Sequence, residues 1–231
     1  MSAAVAGVLF DKDGTLFDFA ATWEAWAEAF LLRVCTGDRA RAQAIGAEIG
    51  FDLGARRFHP GSIVIAGTPG EIAAALGPHL PGLSQDGIVA LLNEEAARAP
   101  QREAVPLAPF LDRLRAAGLR LGVATNDAEA PALAHLDHAG VRDRFDFVAG
   151  FDSGHGAKPG PGPLLAFARA VGLAPDRVVM VGDSAHDLVA GRAAGMRTVG
   201  VLTGMAGPEV LAPLADAVLP DIGHLPGWLG L

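Results

Sequence analysis

Most of the information on the fold lies in the stretch Val5-Ala6-Gly7-Val8-Leu9-Phe10-Asp11-Lys12-Asp13-Gly14-Thr15-Leu16. Its first half is an apolar run that predicts a buried strand, and its second half is polar and bears two carboxylates. Because side-chain direction repeats every second residue, Asp11 and Asp13 can point the same way, and Lys12 is expected to point away. One such carboxylate can attack phosphorus while its neighbour protonates the leaving oxygen. An ordinary Asp-Gly turn explains the same residues, so this stretch alone leaves both interpretations open.

Further apolar runs recur along the chain, and each is followed by polar or glycine-rich residues and then by a helical pattern rich in Ala and Leu. They span residues 119–124, 145–149, 178–181, 198–202 and 217–219. This alternation is typical of βα units, and near-continuous apolar strands indicate a sheet that is covered on both faces. The sequence therefore predicts an α/β fold, with a three-layer Rossmann-like core around a mostly parallel sheet.

A long insertion separates the first predicted strand, which ends at Phe10, from the second, which begins at Leu119. A single crossover helix needs far fewer residues. Helical patterns fill most of the insertion, at residues 23–35, 39–50, 70–80 and 84–99. Thr68 and Ser84 stand where helix N-caps are expected. We therefore predict a helical cap domain at residues 17–100 on an α/β core formed by residues 1–16 and 101–231.

Composition excludes several classes of protein. The 231 residues include 18 Lys and Arg against 26 Asp and Glu, for a net charge of −8, which argues against nucleic-acid partners. Cys35 is the sole cysteine, so disulfides and cysteine-based metal sites are not expected. No signal peptide or bilayer-spanning segment stands out, so we expect a cytoplasmic protein without membrane partners. The oligomeric state, monomer or dimer, stays open.

Three more polar motifs follow predicted core strands. Thr125 and Asn126 follow the second strand, where a hydroxyl and an amide can hydrogen-bond a phosphate oxygen beside helix N–H groups. Lys158, one of only two lysines, follows the third strand, and its ammonium could neutralise phosphoryl oxygens. Asp183 and Asp187 follow the fourth strand and offer hard oxygen ligands to Mg²⁺. Helix caps or a solvated loop explain each motif singly, but convergence at one sheet edge favours a phosphoryl-transfer site.

Taken in order, the four motifs resemble those of the haloacid dehalogenase superfamily, specifically its phosphatase branch with a helical C1-type cap, which includes phosphoglycolate phosphatases. The motifs are Asp11-Lys12-Asp13-Gly14-Thr15-Leu16, Thr125-Asn126, Lys158-Pro159, and Gly182-Asp183-Ser184 with Asp187. The resemblance implies that Asp11 is the nucleophile and Asp13 the general acid/base. It further implies that Thr125 and Lys158 hold the phosphoryl group.

The resemblance also implies a Mg²⁺ cofactor. Its ligands would come from Asp11, Asp13 and Asp183, with Asp13 contributing its backbone carbonyl. Asp187 would support the metal or orient Lys158. The implied substrate is a small phosphorylated metabolite, with 2-phosphoglycolate as the leading candidate, and the cap would close over it as a lid.

Rival chemistries on the same scaffold are separated by particular residues. A haloacid dehalogenase needs neither Mg²⁺ nor a second acid, so Asp13 and Asp183 argue against that chemistry. A phosphonoacetaldehyde hydrolase uses a cap lysine, and residues 17–100 contain none. A β-phosphoglucomutase-like phosphotransferase shares the phosphatase motifs and stays open as an alternative. So does a non-catalytic protein that binds a phosphorylated metabolite.

Candidate substrate-binding residues are Asn126 in the core and Arg56 and Arg57 in the cap. The two arginines stand in a predicted loop that could face the core, where a guanidinium would suit a substrate carboxylate. A solvated loop is the favoured explanation, because loops gather charge without function. Trp23 and Trp26, three apart on the first cap helix, are expected to pack inside the cap.

Overall fold

A six-stranded parallel sheet forms the centre of the computed structural model, which describes residues 4–231. The strands in chain order are β1 (Gly7–Phe10), β2 (Phe51–Asp52), β3 (Arg57–Phe58), β4 (Arg120–Ala124), β5 (Phe147–Ala149), β6 (Val178–Gly182), β7 (Arg197–Val201) and β8 (Ala217–Leu219). The central sheet has the order β5-β4-β1-β6-β7-β8, and all its neighbouring strands are parallel. The strand that leads into the Asp11-Lys12-Asp13 turn therefore lies in the middle of the sheet.

Helices cover both faces of this sheet. The α-helices are α1 (Phe19–Val34), α2 (Arg39–Glu48), α3 (Pro69–Leu76), α4 (Gln85–Arg98), α5 (Leu107–Ala116), α6 (Glu129–His138), α7 (Gly162–Ala170), α8 (Ala185–Ala193), α9 (Pro208–Leu211) and α10 (Leu225–Leu229). Buried side chains of α5, α6 and α10 share one apolar cluster with Val8 and Phe10 of β1. Those of α7 and α8 share another with Leu9. Successive residues of β1 thus face opposite helix layers, which explains why the whole strand is apolar.

Residues 18–101 leave the core between β1 and α5, and we call them the inserted segment. Its helices α1 to α4 enclose an apolar cluster of their own. Inside this cluster, the indole N–H of Trp26 donates to the carbonyl oxygen of Leu92 at 3.0 Å. Thr68 caps α3 and Ser84 caps α4, as predicted. Helix α4 packs against α6 of the core, which seats the inserted segment over one end of the sheet.

The two chain crossings between the core and the inserted segment run side by side and are hydrogen-bonded to each other. The backbone N–H of Asp18 donates to the carbonyl of Arg102 at 2.8 Å, and that of Ala104 donates to Leu16 at 2.9 Å. The Arg102 guanidinium also pairs with the Asp18 carboxylate. The inserted segment is therefore joined to the core through a short antiparallel ribbon.

The predicted α/β fold with a parallel sheet and flanking helices is confirmed, and the predicted strands differ from the observed ones only at their ends. The helical interpretation of the insertion missed the hairpin of β2 and β3, whose two-residue strands are too short to show an alternating pattern. Helix α1 begins at Phe19 rather than at residue 23, because the Asp18 side chain caps it by accepting from the N–H of Ala21. Within residues 4–231, no helix has both the length and the apolar character needed to span a bilayer.

Candidate active site

The predicted site residues gather at the carboxyl edge of the sheet. Asp11, Thr125 and Asp183 follow directly after β1, β4 and β6, and Lys158 comes from the segment between β5 and α7. A cavity lies between this edge and the inserted segment. Its core-side lining consists of Asp11, Asp13, Thr125, Asn126, Asp127, Lys158, Asp183, Ser184, His186 and Asp187. The structure thus brings the four sequence motifs to one cavity, as the order of the strands requires.

Lys158 bridges two of the carboxylates. Its Nζ lies 2.6 Å from Oδ1 of Asp11 and 2.6 Å from Oδ1 of Asp187. Burial opposes the charge of this ammonium, but the two carboxylates outweigh that effect and raise the pKa of Lys158 above its usual range. The group is therefore a buried, charged cation directly beside the side chain that the sequence predicts as the nucleophile.

The single ammonium of Lys158 does not offset the negative charge of Asp11, Asp183 and Asp187. Burial raises the pKa of Asp11 to about 7, with Asp187 and Asp13 adding repulsion and Lys158 opposing the shift. Burial likewise raises the pKa of Asp183 well above its usual range, and repulsion from Asp11 and Asp187 adds to it. The protein alone therefore leaves these carboxylates short of positive charge.

The same carboxylates fit a divalent metal ion. Asp11, Asp183 and Asp187 each place one oxygen so that the three lie within 4.8 Å of one another. Hard oxygen donors of this kind are the ligands that Mg²⁺ prefers, and a dication would neutralise the charge that Lys158 leaves uncompensated. Asp187 has a further role, because its Oδ2 accepts from the N–H and the hydroxyl of Ser184 at the start of α8. The Asp13 carboxylate is not part of the three-oxygen group.

Backbone packs closely against Asp183 at two glycines. A Cβ at Gly14, whose φ is +83°, would lie 2.4 Å from Oδ2 of Asp183, and one at Gly204 would lie 1.7 Å from the same atom. The Thr15 hydroxyl donates to Oδ1 of Asp183 at 3.4 Å, and the Thr203 hydroxyl donates to the carbonyl of Gly14 at 2.6 Å. Thr203 and Gly204 were not predicted from the sequence, although they follow β7 at the same carboxyl edge as the predicted site residues.

The prediction that Lys12 points away from the acids is wrong. Its Nζ lies 2.7 Å from Oδ2 of Asp13 and 3.3 Å from Oδ2 of Asp127. It also lies 2.9 Å from Nδ1 of His135. The carbonyl of Lys12 accepts a hydrogen bond from the N–H of Leu16, so the chain has already turned. The alternation of side chains in a strand therefore no longer sets their directions here.

Lys12 and His135 connect Asp13 to the inserted segment. Burial opposes the charge of Lys12, but the carboxylates of Asp13 and Asp127 outweigh it and raise the pKa of Lys12. Burial, assisted by the Lys12 charge, lowers the pKa of His135 to about 4, so its ring is neutral at pH 7. Nδ1 of His135 then accepts from Lys12, and Nε2–H donates to the carbonyl of Ala96 in α4 at 2.6 Å. The chain of contacts runs from α4 to the predicted acid/base residue.

Thr125 and Asn126 differ in what they leave free for a ligand. Thr125 lines the cavity, and its hydroxyl accepts from the N–H of Asp127 at 3.1 Å. The Asn126 amide donates to the carbonyls of Ala66 and Lys158 and accepts from the Lys158 N–H, each at 2.9 Å. Asn126 therefore fixes the backbone of Lys158 and touches the inserted segment. The Asn126 amide is already hydrogen-bonded within the protein. Its contact with substrate stays a prediction.

The predicted cap arginines lie outside the cavity. Arg56 pairs with Glu28 of α1 at 2.9 Å, and Arg57 is exposed in β3. The structure does not bring either guanidinium to the other site residues, so their predicted contact with substrate is without support here. Trp23 and Trp26 pack inside the inserted segment, as predicted, and they also line the cavity.

The chain belongs to the haloacid dehalogenase-like hydrolases, whose family model matches residues 5–195. The resemblance that the four motifs indicated is thereby confirmed at the level of the family.

Curated relatives carry the name phosphoglycolate phosphatase. That of Rhodospirillum rubrum is 40% identical over 121 residues, which are 52% of this chain and 50% of that protein, so the match spans about half the length of the relative. That of Escherichia coli O157:H7 is 29% identical over an alignment of 239 positions, which covers 95% of this chain and 93% of that protein.

A solved structure shares the fold. CbbY from Rhodobacter sphaeroides, in complex with phosphate, superposes with a TM-score of 0.71 over 98% of this chain and 100% of that one, at 22% sequence identity. At this identity the likeness concerns the fold.

Proposed function

We propose that this protein is a Mg²⁺-dependent phosphomonoester hydrolase that acts on a small phosphorylated metabolite through an aspartyl-phosphate intermediate. The observation that carries the proposal is the pairing of the Lys158 ammonium with Asp11, beside the buried carboxylates of Asp183 and Asp187, in one cavity. Membership of the hydrolase family and the names of the relatives support it. Those names make 2-phosphoglycolate the reference substrate.

Asp11, Asp183 and the backbone carbonyl of Asp13 would hold Mg²⁺ in this proposal. When bound, the ion supplies positive charge that reduces repulsion between the Asp11 carboxylate and a phosphate dianion. Asp187 holds the Lys158 ammonium toward Asp11, and the ammonium binds phosphoryl oxygens once substrate enters. Thr125, which lines the same cavity, binds a further phosphoryl oxygen.

The reaction proceeds in two displacements at phosphorus. A carboxylate oxygen of Asp11 attacks phosphorus, the bond from phosphorus to the alcohol oxygen breaks, and the carboxylic acid of Asp13 gives its proton to that oxygen. The Asp13 carboxylate then takes a proton from a water molecule, whose oxygen attacks the same phosphorus. The bond to Asp11 breaks, inorganic phosphate leaves, and both aspartates return to their initial states.

The test is phosphate release from p-nitrophenyl phosphate and from a panel of phosphorylated metabolites, with Mg²⁺ and with EDTA. We expect Mg²⁺-dependent turnover by the wild type. Asp11→Asn should lower kcat by at least about 10⁴-fold, because an amide is not a nucleophile for this step.

The matched control is Asp143→Asn, which neutralises a side chain that is 83% exposed and should leave kcat unchanged. Circular dichroism checks that both variants fold. Substantial activity of folded Asp11→Asn would refute Asp11 as the nucleophile, and no turnover by the wild type with any divalent metal would refute the proposed function.

A further inference from the structure

The side chain of Asn126 binds the core and the inserted segment at the same time. Its amide nitrogen donates to the carbonyl of Ala66 in the inserted segment and to the carbonyl of Lys158 in the core, each at 2.9 Å. Its amide oxygen accepts from the N–H of Lys158, also at 2.9 Å. Both donors are in use, and the reversed amide would place its oxygen against two carbonyl oxygens. The three contacts therefore fix the orientation of the Asn126 side chain.

The Lys158 ammonium depends on this anchoring of its backbone. Its Nζ lies 2.6 Å from Asp11 and 2.6 Å from Asp187, and the side chain is only 3% exposed. A lysine side chain is a flexible four-carbon stem, so the position of the backbone matters for the position of the ammonium. Misplacing a reacting group by about 1 Å can cost about 100-fold in rate. A shift of Asn126 would therefore reach the ammonium through the Lys158 backbone.

The turn that presents the Ala66 carbonyl is tightly bonded within the inserted segment. At its start, the Ser62 hydroxyl donates to the carbonyl of Ile49 at 2.5 Å. At its end, the N–H of Gly67 donates to the carbonyl of Ile63 at 2.8 Å. A Cβ at Gly67 would lie 2.5 Å from that same carbonyl oxygen, so a side chain there would force the turn to shift. The Ala66 carbonyl thus moves together with the inserted segment.

We propose that Asn126 is a positioning residue that links the position of the inserted segment to the placement of the Lys158 ammonium. While the Ala66 carbonyl is in contact, the amide is held by three hydrogen bonds and fixes the Lys158 backbone. When the inserted segment moves away, the amide loses one of them and holds that backbone less firmly. The proposal rests on the proposed phosphatase function. In this role Asn126 acts through Lys158 and needs no contact with substrate.

Two substitutions and their combination test the link. Asn126→Ala removes all three hydrogen bonds and should lower kcat/KM by about 100-fold. Gly67→Ala disturbs the turn that presents Ala66 and should lower kcat/KM by about tenfold. Added to Asn126→Ala, it should cost less than about twofold, because the link is already broken. Losses that multiply in the double variant would overturn the inference, since independent structural effects add in free energy.

Gly77→Ala is the matched control in the inserted segment, because a Cβ there meets no atom within 4 Å. It should keep the kcat/KM of the wild type. Circular dichroism and urea unfolding check that each variant folds. If Asn126→Ala does not fold, Asn126→Asp replaces it in the same scheme, since it keeps the shape and the acceptor of the amide and removes both donors.

Two esters separate positioning from direct contact with the leaving group. In the proposed function, Lys158 binds the phosphoryl group, which p-nitrophenyl phosphate and 2-phosphoglycolate share. Asn126→Ala should therefore lower kcat/KM for both esters by the same factor. A loss confined to one ester would overturn the inference and assign Asn126 to the leaving group. Turnover by the wild type with unaffected variants would overturn the inference alone, whereas no turnover by the wild type would remove the proposed function as well.

Discussion

His135, which the sequence did not single out, forms a buried polar pair with Lys12. His135 is fully buried, and its two ring nitrogens are bonded to the Lys12 ammonium and to the carbonyl of Ala96. A protonated ring would face the Lys12 charge and could not accept from it. The neutral ring is therefore the form that the folded protein stabilises.

This preference predicts a pH dependence of stability. The pKa of His135 is about 4 in the folded protein, because of burial and the Lys12 charge, and its ordinary value is 6.5. Between those values the unfolded chain binds a proton that the folded protein does not, so the free energy of unfolding falls as the pH drops from 6.5 to 4. The full effect is about 3 kcal/mol.

Urea unfolding between pH 4 and 7.5, in EDTA, measures the effect. His135→Gln keeps a donor and an acceptor but does not titrate. Between pH 6.5 and 4, the free energy of unfolding of this variant should therefore fall by about 3 kcal/mol less than that of the wild type. The raised pKa values of Asp11 and Asp127 act in the opposite direction in both proteins, and the difference between the proteins removes their contribution. Parallel pH profiles for the two would contradict the prediction.

At the level of elements, the sequence predicts strands better than it predicts the turns between them. The strand before Asp11 and the strand before Asp183 are apolar runs that must be buried, and both reach the site as expected. Lys12 was misplaced because its direction depends on a turn, where hydrogen bonds rather than alternation set the side chain. Gly204 could not be predicted as a site residue, because its role depends on contact with Asp183. The two residues are apart in the sequence and meet only when β6 pairs with β7.

The loop after β7 packs against Asp183 of the proposed metal site at Gly204, which has no side chain. A Cβ on Gly204 would overlap the Asp183 carboxylate, so Gly204→Ala must shift either the loop or that carboxylate. We expect the Mg²⁺ concentration for half-maximal activity to rise by about 10- to 100-fold, as is usual when the support of a metal ligand is disturbed.

Gly227→Ala is a matched control, because a Cβ there meets no atom within 4 Å. Titration of activity with MgCl₂ gives the comparison. An unchanged Mg²⁺ requirement in folded Gly204→Ala would show that the loop adapts without moving Asp183.

At the scale of the whole molecule, net charge and local charge must be separated. The chain carries a net charge of −8, so divalent cations gather around it without a specific site. The group of Asp11, Asp183 and Asp187 is different, because its carboxylates are buried and mutually repulsive. The unfolded chain does not bring these carboxylates together, so an ion that binds them stabilises the folded protein relative to the unfolded chain.

Mg²⁺ at ten times its dissociation constant should therefore raise the free energy of unfolding by about 1.4 kcal/mol and Tm by about 3–6 °C. Thermal unfolding with MgCl₂, with EDTA and with NaCl at equal ionic strength measures this shift. Asp183→Asn, which changes the surface charge little, should lose most of it. The same shift in Asp183→Asn would assign the effect to the surface rather than to the cavity.

The paired crossings at Leu16–Ala104 and Asp18–Arg102 have a consequence for how such a protein can diversify. The two crossings are arranged like the paired strands of a hairpin, with the inserted segment in the place of the hairpin loop. Any sequence whose ends emerge side by side could occupy that place at little cost in loop-closure entropy. The side of the cavity that the inserted segment forms is thus encoded in one uninterrupted piece of the gene, and exchange of that piece would change this side while the residues at the sheet edge stay where they are.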